Sequence, residues 1–157
     1  MKKILIAVAI AFVAIASNAA ATSWKITGGS IKASDLTSAY AGMVEIWASG
    51  GDLDSAIVLD SRSISGGSFG SSYTFSTDSL TAGTTYDIYF VLEDGGKELT
   101  SSVISKAAVS VGTATVGFGN LATYTSNASN WAAVPEPTSG LLMLLGMAGL
   151  ALKRKRA

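Results

Sequence analysis

Two predicted strands each place an aromatic ring and a carboxylate on the same face. Glu45 and Trp47 lie two residues apart on one strand, and Asp87 and Tyr89 lie two apart on another. Side chains at this spacing point to the same side of a strand. If the two strands are neighbours, they form an aromatic and acidic patch of the kind on which a sugar ring stacks. The alternatives are ordinary cross-strand pairs or a face covered by a second sheet.

Few residues in this chain are suited to catalysis. The sequence contains no cysteine and no histidine, which excludes Ser-His-Asp and Cys-His nucleophiles. Two carboxylates can hydrolyse a glycosidic bond without histidine. However, Glu45, Glu93 and Glu98 are scattered over strands and a hairpin, and the sequence pairs no two of them. We therefore predict that the protein is not an enzyme and needs no cofactor.

The best candidates for metal ligands are Asp52 and Asp54 on a glycine-rich loop, with Asp60 further along. Their spacing fails the EF-hand pattern, because Ile57 stands where that loop requires glycine and Ser63 where it requires glutamate. We predict a solvated turn here and no metal site.

The two ends of the chain conceal the charge of its centre. Residues 22–133 contain 5 basic and 10 acidic side chains, a net charge of −5, although the whole chain is neutral. Nucleic-acid binding requires a basic surface to neutralise the phosphates. The composition therefore excludes nucleic acid as a partner.

The central region has the pattern of an all-β domain, with glycine-rich turns at short intervals between β-prone runs. Residues 84–93 alternate clearly, with Tyr86, Ile88, Phe90 and Leu92 on one face, and residues 94–96 then form a hairpin turn. Leu99 and Val103 are predicted to face inward on the returning strand. A short helical turn capped by Ser34 or Asp35 is expected over residues 33–41. The candidate strands are residues 24–27, 43–48, 56–64, 72–76, 84–93, 97–106 and 114–118.

The run from Leu80 to Tyr86 resembles the E–F corner of fibronectin type III-like domains. In that corner a leucine, a small glycine-containing turn and a tyrosine recur at this spacing. The resemblance implies that the Tyr86 hydroxyl bonds back to upstream backbone and fixes the crossover. The alternative is a hairpin whose tyrosine simply packs in the core.

The N-terminus has the layout of a secretory signal peptide. Two lysines precede an uncharged apolar run over residues 4–16, and Ala19 and Ala21 then form an A-x-A cleavage pattern. The run is shorter than the roughly 20 residues that span a bilayer. We predict cleavage after Ala21, with cleavage after Ala19 or Ala20 as alternatives. The other reading is an uncleaved membrane anchor.

The C-terminal tail has three unlike parts in order. A proline-bracketed motif is followed by an uncharged, largely apolar segment, residues 139–152, and then by a basic end. The prolines favour an extended strip that suits a protease cleft. Residues 139–152 make about 21 Å of helix, short of the bilayer core of about 30 Å. We predict a single hydrophobic helix that is held briefly in the membrane, with a permanent anchor as the alternative. The motif is Val134, Pro135, Glu136 and Pro137, and the basic end is Lys153, Arg154, Lys155 and Arg156.

This tail resembles the PEP-CTERM sorting signal of exopolysaccharide-producing Gram-negative bacteria, in which Pro-Glu-Pro precedes a hydrophobic segment and an arginine-rich end. Two of the four basic residues here are lysine, which preserves the charge. The resemblance implies that an exosortase, a membrane cysteine protease, processes the tail near Pro135–Pro137. It also implies co-export with polysaccharide and transient anchoring in the inner membrane. Delivery to the cell surface or the medium would follow.

These features predict four segments: a signal peptide (1–21), a small antiparallel β-sandwich (22–119), a flexible stalk (120–133) and a sorting tail (134–157). The expected role is a non-catalytic structural or adhesive one at the cell surface or in the biofilm matrix. The alternative is a carbohydrate-binding module that uses Trp47 and Tyr89. The expected partners are the Sec translocon, signal peptidase, an exosortase-like protease, the membrane through residues 139–152, and exopolysaccharide.

Overall fold

A computed structural model describes residues 20–71 and 73–134 of the chain. Strands dominate this part of the chain, and one turn of 3-10 helix, Ala128–Asn130, precedes the last strand. The elements are β1 (Thr22–Gly29), β2 (Gly42–Ser49), β3 (Ile57–Ile64), β4 (Thr74–Thr77), β5 (Thr85–Asp94), β6 (Lys97–Thr100), β7 (Ile104–Ala107), β8 (Thr113–Asn120), α1 (Ala122–Thr125) and β9 (Trp131–Ala133).

The strands form two sheets, which pack as a sandwich. The larger sheet has the order β3-β2-β5-β6-β9, with β7 also paired to β5, and the smaller has the order β4-β1-β8. Every pairing between these strands is antiparallel except that of β1 with β8, which is parallel. The predicted all-β sandwich is confirmed, and the β1–β8 pair is the one departure from antiparallel order among the described strands.

The core lies between the two sheets and follows the alternation of the strands. Four inward side chains of β5 are fully buried, while Tyr89 and Val91 on its outer face are half-buried. The smaller sheet contributes Trp24 and Ile26 from β1 to the same core. Each large apolar side chain buried in this way stabilises the fold by about 1.5–3 kcal/mol. The four inward residues of β5 are Tyr86, Ile88, Phe90 and Leu92.

Tyr86 ties the start of β5 to the loop before it. Its hydroxyl accepts a hydrogen bond from the backbone N–H of Thr81 at 2.8 Å and donates one to the carboxylate of Asp52. The hydroxyl therefore bonds to upstream backbone, as the tyrosine-corner pattern predicted. The additional contact with Asp52, on the loop after β2, was not predicted.

The expected helical turn over residues 33–41 is absent, and that prediction was wrong. Leu36 has a φ of 68°, outside the helical region, and Lys32 forms an isolated bridge with Ala39. Asp35 acts as a cap of another kind, because its carboxylate accepts from the N–H groups of Thr37 and Ser38 at 2.9 and 2.8 Å. These bonds close a compact side-chain-stabilised turn.

Residues 120–133 do not form the expected flexible stalk. β9 pairs with β6 and extends the larger sheet, and the side chain of Trp131 is only 6% exposed. The indole N–H of Trp131 donates to the carbonyl of Thr125 at 2.9 Å, while the Tyr124 hydroxyl donates to the carbonyl of Thr100 at 2.8 Å. The folded domain therefore continues to Val134, whose N–H donates to the carbonyl of Gly96.

The strand predicted over residues 97–106 is broken in two by a bulge. The N–H of Phe90 donates to the Ser101 side-chain oxygen at 2.9 Å, where a regular ladder would use the backbone carbonyl. Pairing resumes at Ile104 opposite Ile88, with one extra residue in the returning strand. Leu99 is buried as predicted, but Val103 is 54% exposed, because the extra residue turns it to the outer face.

Candidate functional site

An open groove of about 610 Å³ crosses the outer face of the larger sheet. Its floor is formed by the outward side chains of β2, β5 and β6, and the bulge after β6 supplies one wall. Its lining residues are Met43, Glu45, Trp47, Tyr89, Val91, Glu93, Glu98, Thr100 and Val103.

Two aromatic rings occupy one end of this groove. β2 and β5 are neighbours, and Trp47 lies directly opposite Tyr89 in their register. The two ring centroids are 6.3 Å apart and the ring planes differ by only 13°. Both side chains are half-buried, so part of each ring remains open to solvent. The condition for an aromatic patch, that these strands be adjacent, is therefore met.

Glu45 fixes the orientation of the indole. The Nε1 of Trp47 donates to Oε2 of Glu45 at 3.0 Å, a bond between side chains two residues apart on the outer face of β2. A ring held by such a bond loses less rotamer freedom when a ligand packs against it. The other carboxylate oxygen of Glu45 makes no hydrogen bond to the described residues, so it can accept from a ligand.

Of the two acids that the sequence placed beside the aromatic rings, Glu45 lines the groove and Asp87 does not. Asp87 accepts a hydrogen bond from the Ser105 hydroxyl at 2.5 Å and does not line the groove. Glu93 and Glu98 do line it, and they lie directly opposite each other across the β5–β6 hairpin. The sequence showed them as scattered. The sequence did contain a signal for this pairing. A two-residue hairpin turn at Gly95 and Gly96 places Glu93 opposite Glu98.

Two of the three aspartates singled out as metal candidates interact with protein groups. Asp52 accepts from the Thr81 hydroxyl at 2.6 Å and from the Tyr86 hydroxyl. These two hydrogen bonds lower the pKa of the Asp52 carboxyl, and the bond from Thr81 has the larger effect. Asp60 lies 3.7 Å from Arg62. Within residues 20–71 and 73–134, no cluster of three or more acidic side chains is arranged to hold a metal ion.

The predicted processing residues flank the folded domain. Ala21 is exposed and directly precedes Thr22, the first residue of β1, while Ala19 lies outside the described residues. Val134 is half-buried, and Pro135, Glu136 and Pro137 follow it outside the described part. The hydrophobic segment 139–152 and the basic residues Lys153 to Arg156 also lie outside it. No helix among the described residues has the length and apolar character needed to cross a membrane.

Comparison with known families gave a match at the C-terminus. Residues 133–156 match the PEP-CTERM protein-sorting motif. The chain therefore carries the signal of an exported protein that passes through the membrane to the cell surface and is processed by an exosortase. Searches of curated proteins and of solved structures returned no match.

Proposed function

We propose that this exosortase-sorted protein has a non-catalytic structural or adhesive role at the cell surface or in the exopolysaccharide matrix, and that its groove performs this role by binding a glycan. The observation that carries the glycan proposal is the nearly parallel pair of Trp47 and Tyr89, with ring centroids 6.3 Å apart in an open groove. The apolar face of a sugar ring packs against an aromatic face. Its hydroxyls can then donate to the neighbouring carboxylates.

The layout of the chain supports delivery of a folded domain. β1 begins at Thr22, the residue that cleavage after Ala21 would expose, and the last strand ends beside the sorting motif. In the proposed route the Sec translocon and signal peptidase act on the N-terminus. The tail is held briefly in the membrane through residues 139–152 before the exosortase acts. Processing at both ends would leave every strand of the sandwich intact.

Glycan-array binding of the full chain and its Trp47→Ala variant tests the proposal. Because Trp47 is on the outer face, we expect the variant to fold normally and to lose at least about tenfold in affinity for the glycans that the wild type binds. Val111→Ala, at a side chain that is 88% exposed and outside the groove, is the matched control. Equal binding by Trp47→Ala would exclude the glycan site and leave the structural role as the surviving proposal.

A further inference from the structure

The groove has charge of one sign only. Glu45, Glu93 and Glu98 line it, and no lysine or arginine does. The one ion pair among the described residues joins Arg62 to Asp60. Arg62 is directed elsewhere, with its guanidinium 4.5 Å from the centre of the Tyr73 ring. Within the described residues, no lysine or arginine therefore forms an ion pair with the three acids of the groove.

The charge is concentrated at the end of the groove away from the aromatic pair. Glu93 and Glu98 are register partners on the outer face of the hairpin, and like charges directly opposite each other destabilise a sheet. A cation placed between them would relieve this repulsion. Since the position is open to the groove, that cation can come from a ligand.

The spacing of the two ends identifies the size of the ligand. Tyr89 and Glu93 are four residues apart on the same face of β5, which corresponds to about 13 Å along a strand. One sugar ring cannot stack on Tyr89 and reach Glu93 at the same time. An oligosaccharide can, with one unit on the rings and another between the carboxylates.

We infer that the groove binds a glycan containing amino sugars with free ammonium groups, in preference to acetylated or uronic-acid polymers. This inference rests on the proposed glycan-binding function and adds the class of ligand. An ammonium group is attracted by carboxylates through Coulomb forces and by aromatic faces through their quadrupole. A uronic acid would bring a second negative charge to the Glu93–Glu98 pair and be repelled.

The experiment compares three probes of equal length: a β-1,4-linked glucosamine hexamer, its fully N-acetylated counterpart and a hexameric uronate. Isothermal titration of the full chain in detergent, at mildly acidic pH and low salt, should show binding of the glucosamine hexamer at least about tenfold tighter than that of the acetylated form. High salt should reduce this preference, since it screens exposed charges. The uronate should not bind.

Two double variants distinguish an effect of the groove charges on ligand preference from an effect on the stability of the fold or on the net charge. Glu93→Gln with Glu98→Gln should reduce the preference for the free amine at least about threefold, because Glu45 and the aromatic faces remain. It should not lower the melting temperature, since it removes a repulsion. Asp54→Asn with Asp78→Asn, which changes the net charge equally at exposed positions outside the groove, should leave the preference unchanged.

The outcomes distinguish the inference from the function on which it rests. Equal or tighter binding of the acetylated hexamer, or binding of the uronate, would overturn the amino-sugar inference while leaving a glycan site in place. If none of the three probes binds and no glycan on the array is retained, both the inference and the glycan function are wrong.

Discussion

The hydroxyl of Tyr86 accepts a hydrogen bond of 2.8 Å from the backbone N–H of Thr81. Tyr86 is fully buried, so Tyr86→Phe would leave this N–H without its partner. We expect a loss of about 1–3 kcal/mol in the free energy of unfolding, measured by urea denaturation. Tyr89→Phe is the control, because the Tyr89 hydroxyl makes no hydrogen bond to the described residues. Equal stability of wild type and Tyr86→Phe would contradict a structural role for the corner.

The turn closed by Asp35 should make stability depend on acid pH. The Ser38 hydroxyl, with the N–H groups of Thr37 and Ser38, lowers the pKa of Asp35 from 3.8 to about 2. A carboxyl with a lowered folded pKa contributes stability above its unfolded pKa and loses it as pH falls through the folded pKa. Asp35→Asn should therefore flatten the dependence of unfolding free energy on pH between about 4 and 2. An unchanged slope relative to wild type would rule out this contribution.

Trp131 should be important for stability although it lies in a segment expected to be a stalk. The side chain is 6% exposed and its N–H is bonded to Thr125. Trp131→Ala should lower the free energy of unfolding by about 3–5 kcal/mol, as measured by chemical denaturation. Val111→Ala is expected to be near neutral. A negligible effect of Trp131→Ala would instead agree with a loose segment.

Two glycines with similar backbone angles should respond differently to substitution. Gly67 and Gly70 have φ values of 64° and 69°, so alanine is strained at both positions. At Gly67 the added methyl would also overlap the carbonyl oxygen of Ile31, whereas nothing lies within 4 Å at Gly70. Gly67→Ala should cost about 1–3 kcal/mol more than Gly70→Ala. Matched thermal melts of the two variants test this difference.

The sorting motif should be separable from the fold. Pro135→Ala combined with Pro137→Ala lies beyond the last strand, so the domain should stay folded while exosortase processing stops. Intact mass of the protein recovered from the host surface or medium is the measurement. We expect a wild-type mass running from near Thr22 to near Pro135–Pro137. A wild-type mass that retains residues 141–157 would indicate a permanent anchor, and unchanged release of the variant would contradict the role of the motif.

Long alternating strands were predictable from sequence because every second side chain is apolar and is also the one that is buried. Tyr86, Ile88 and Leu92 of β5 are buried as the alternation indicated, and Trp47 is on the outer face of β2. The pairing of Trp47 with Tyr89 depends on which strands are neighbours, and a single sequence does not determine that order. The aromatic patch could therefore be predicted only on the condition that the two strands are neighbours.

The errors arose where local chemistry overrode the pattern. Ser101 substitutes its hydroxyl for a backbone acceptor, and the resulting bulge reverses the face of Val103. β9 has only three residues, too few for a period to be visible, so the burial of Trp131 was hidden in a small and polar segment. Leu36 adopts a positive φ, which could not be predicted because leucine rarely takes this conformation.

The bond from the N–H of Val134 to the carbonyl of Gly96 at 3.0 Å also limits how far the domain could lie from a bilayer. From Val134 to Ser139, where the apolar segment begins, the chain has five Cα–Cα steps and can reach at most about 18 Å. Under the proposed anchoring, the turn of the β5–β6 hairpin, to which Val134 is bonded, would therefore lie within about 20 Å of the start of the apolar segment. Glu93 and Glu98 lie next to this turn, whereas Trp47 and Tyr89 lie farther from it along the sheet.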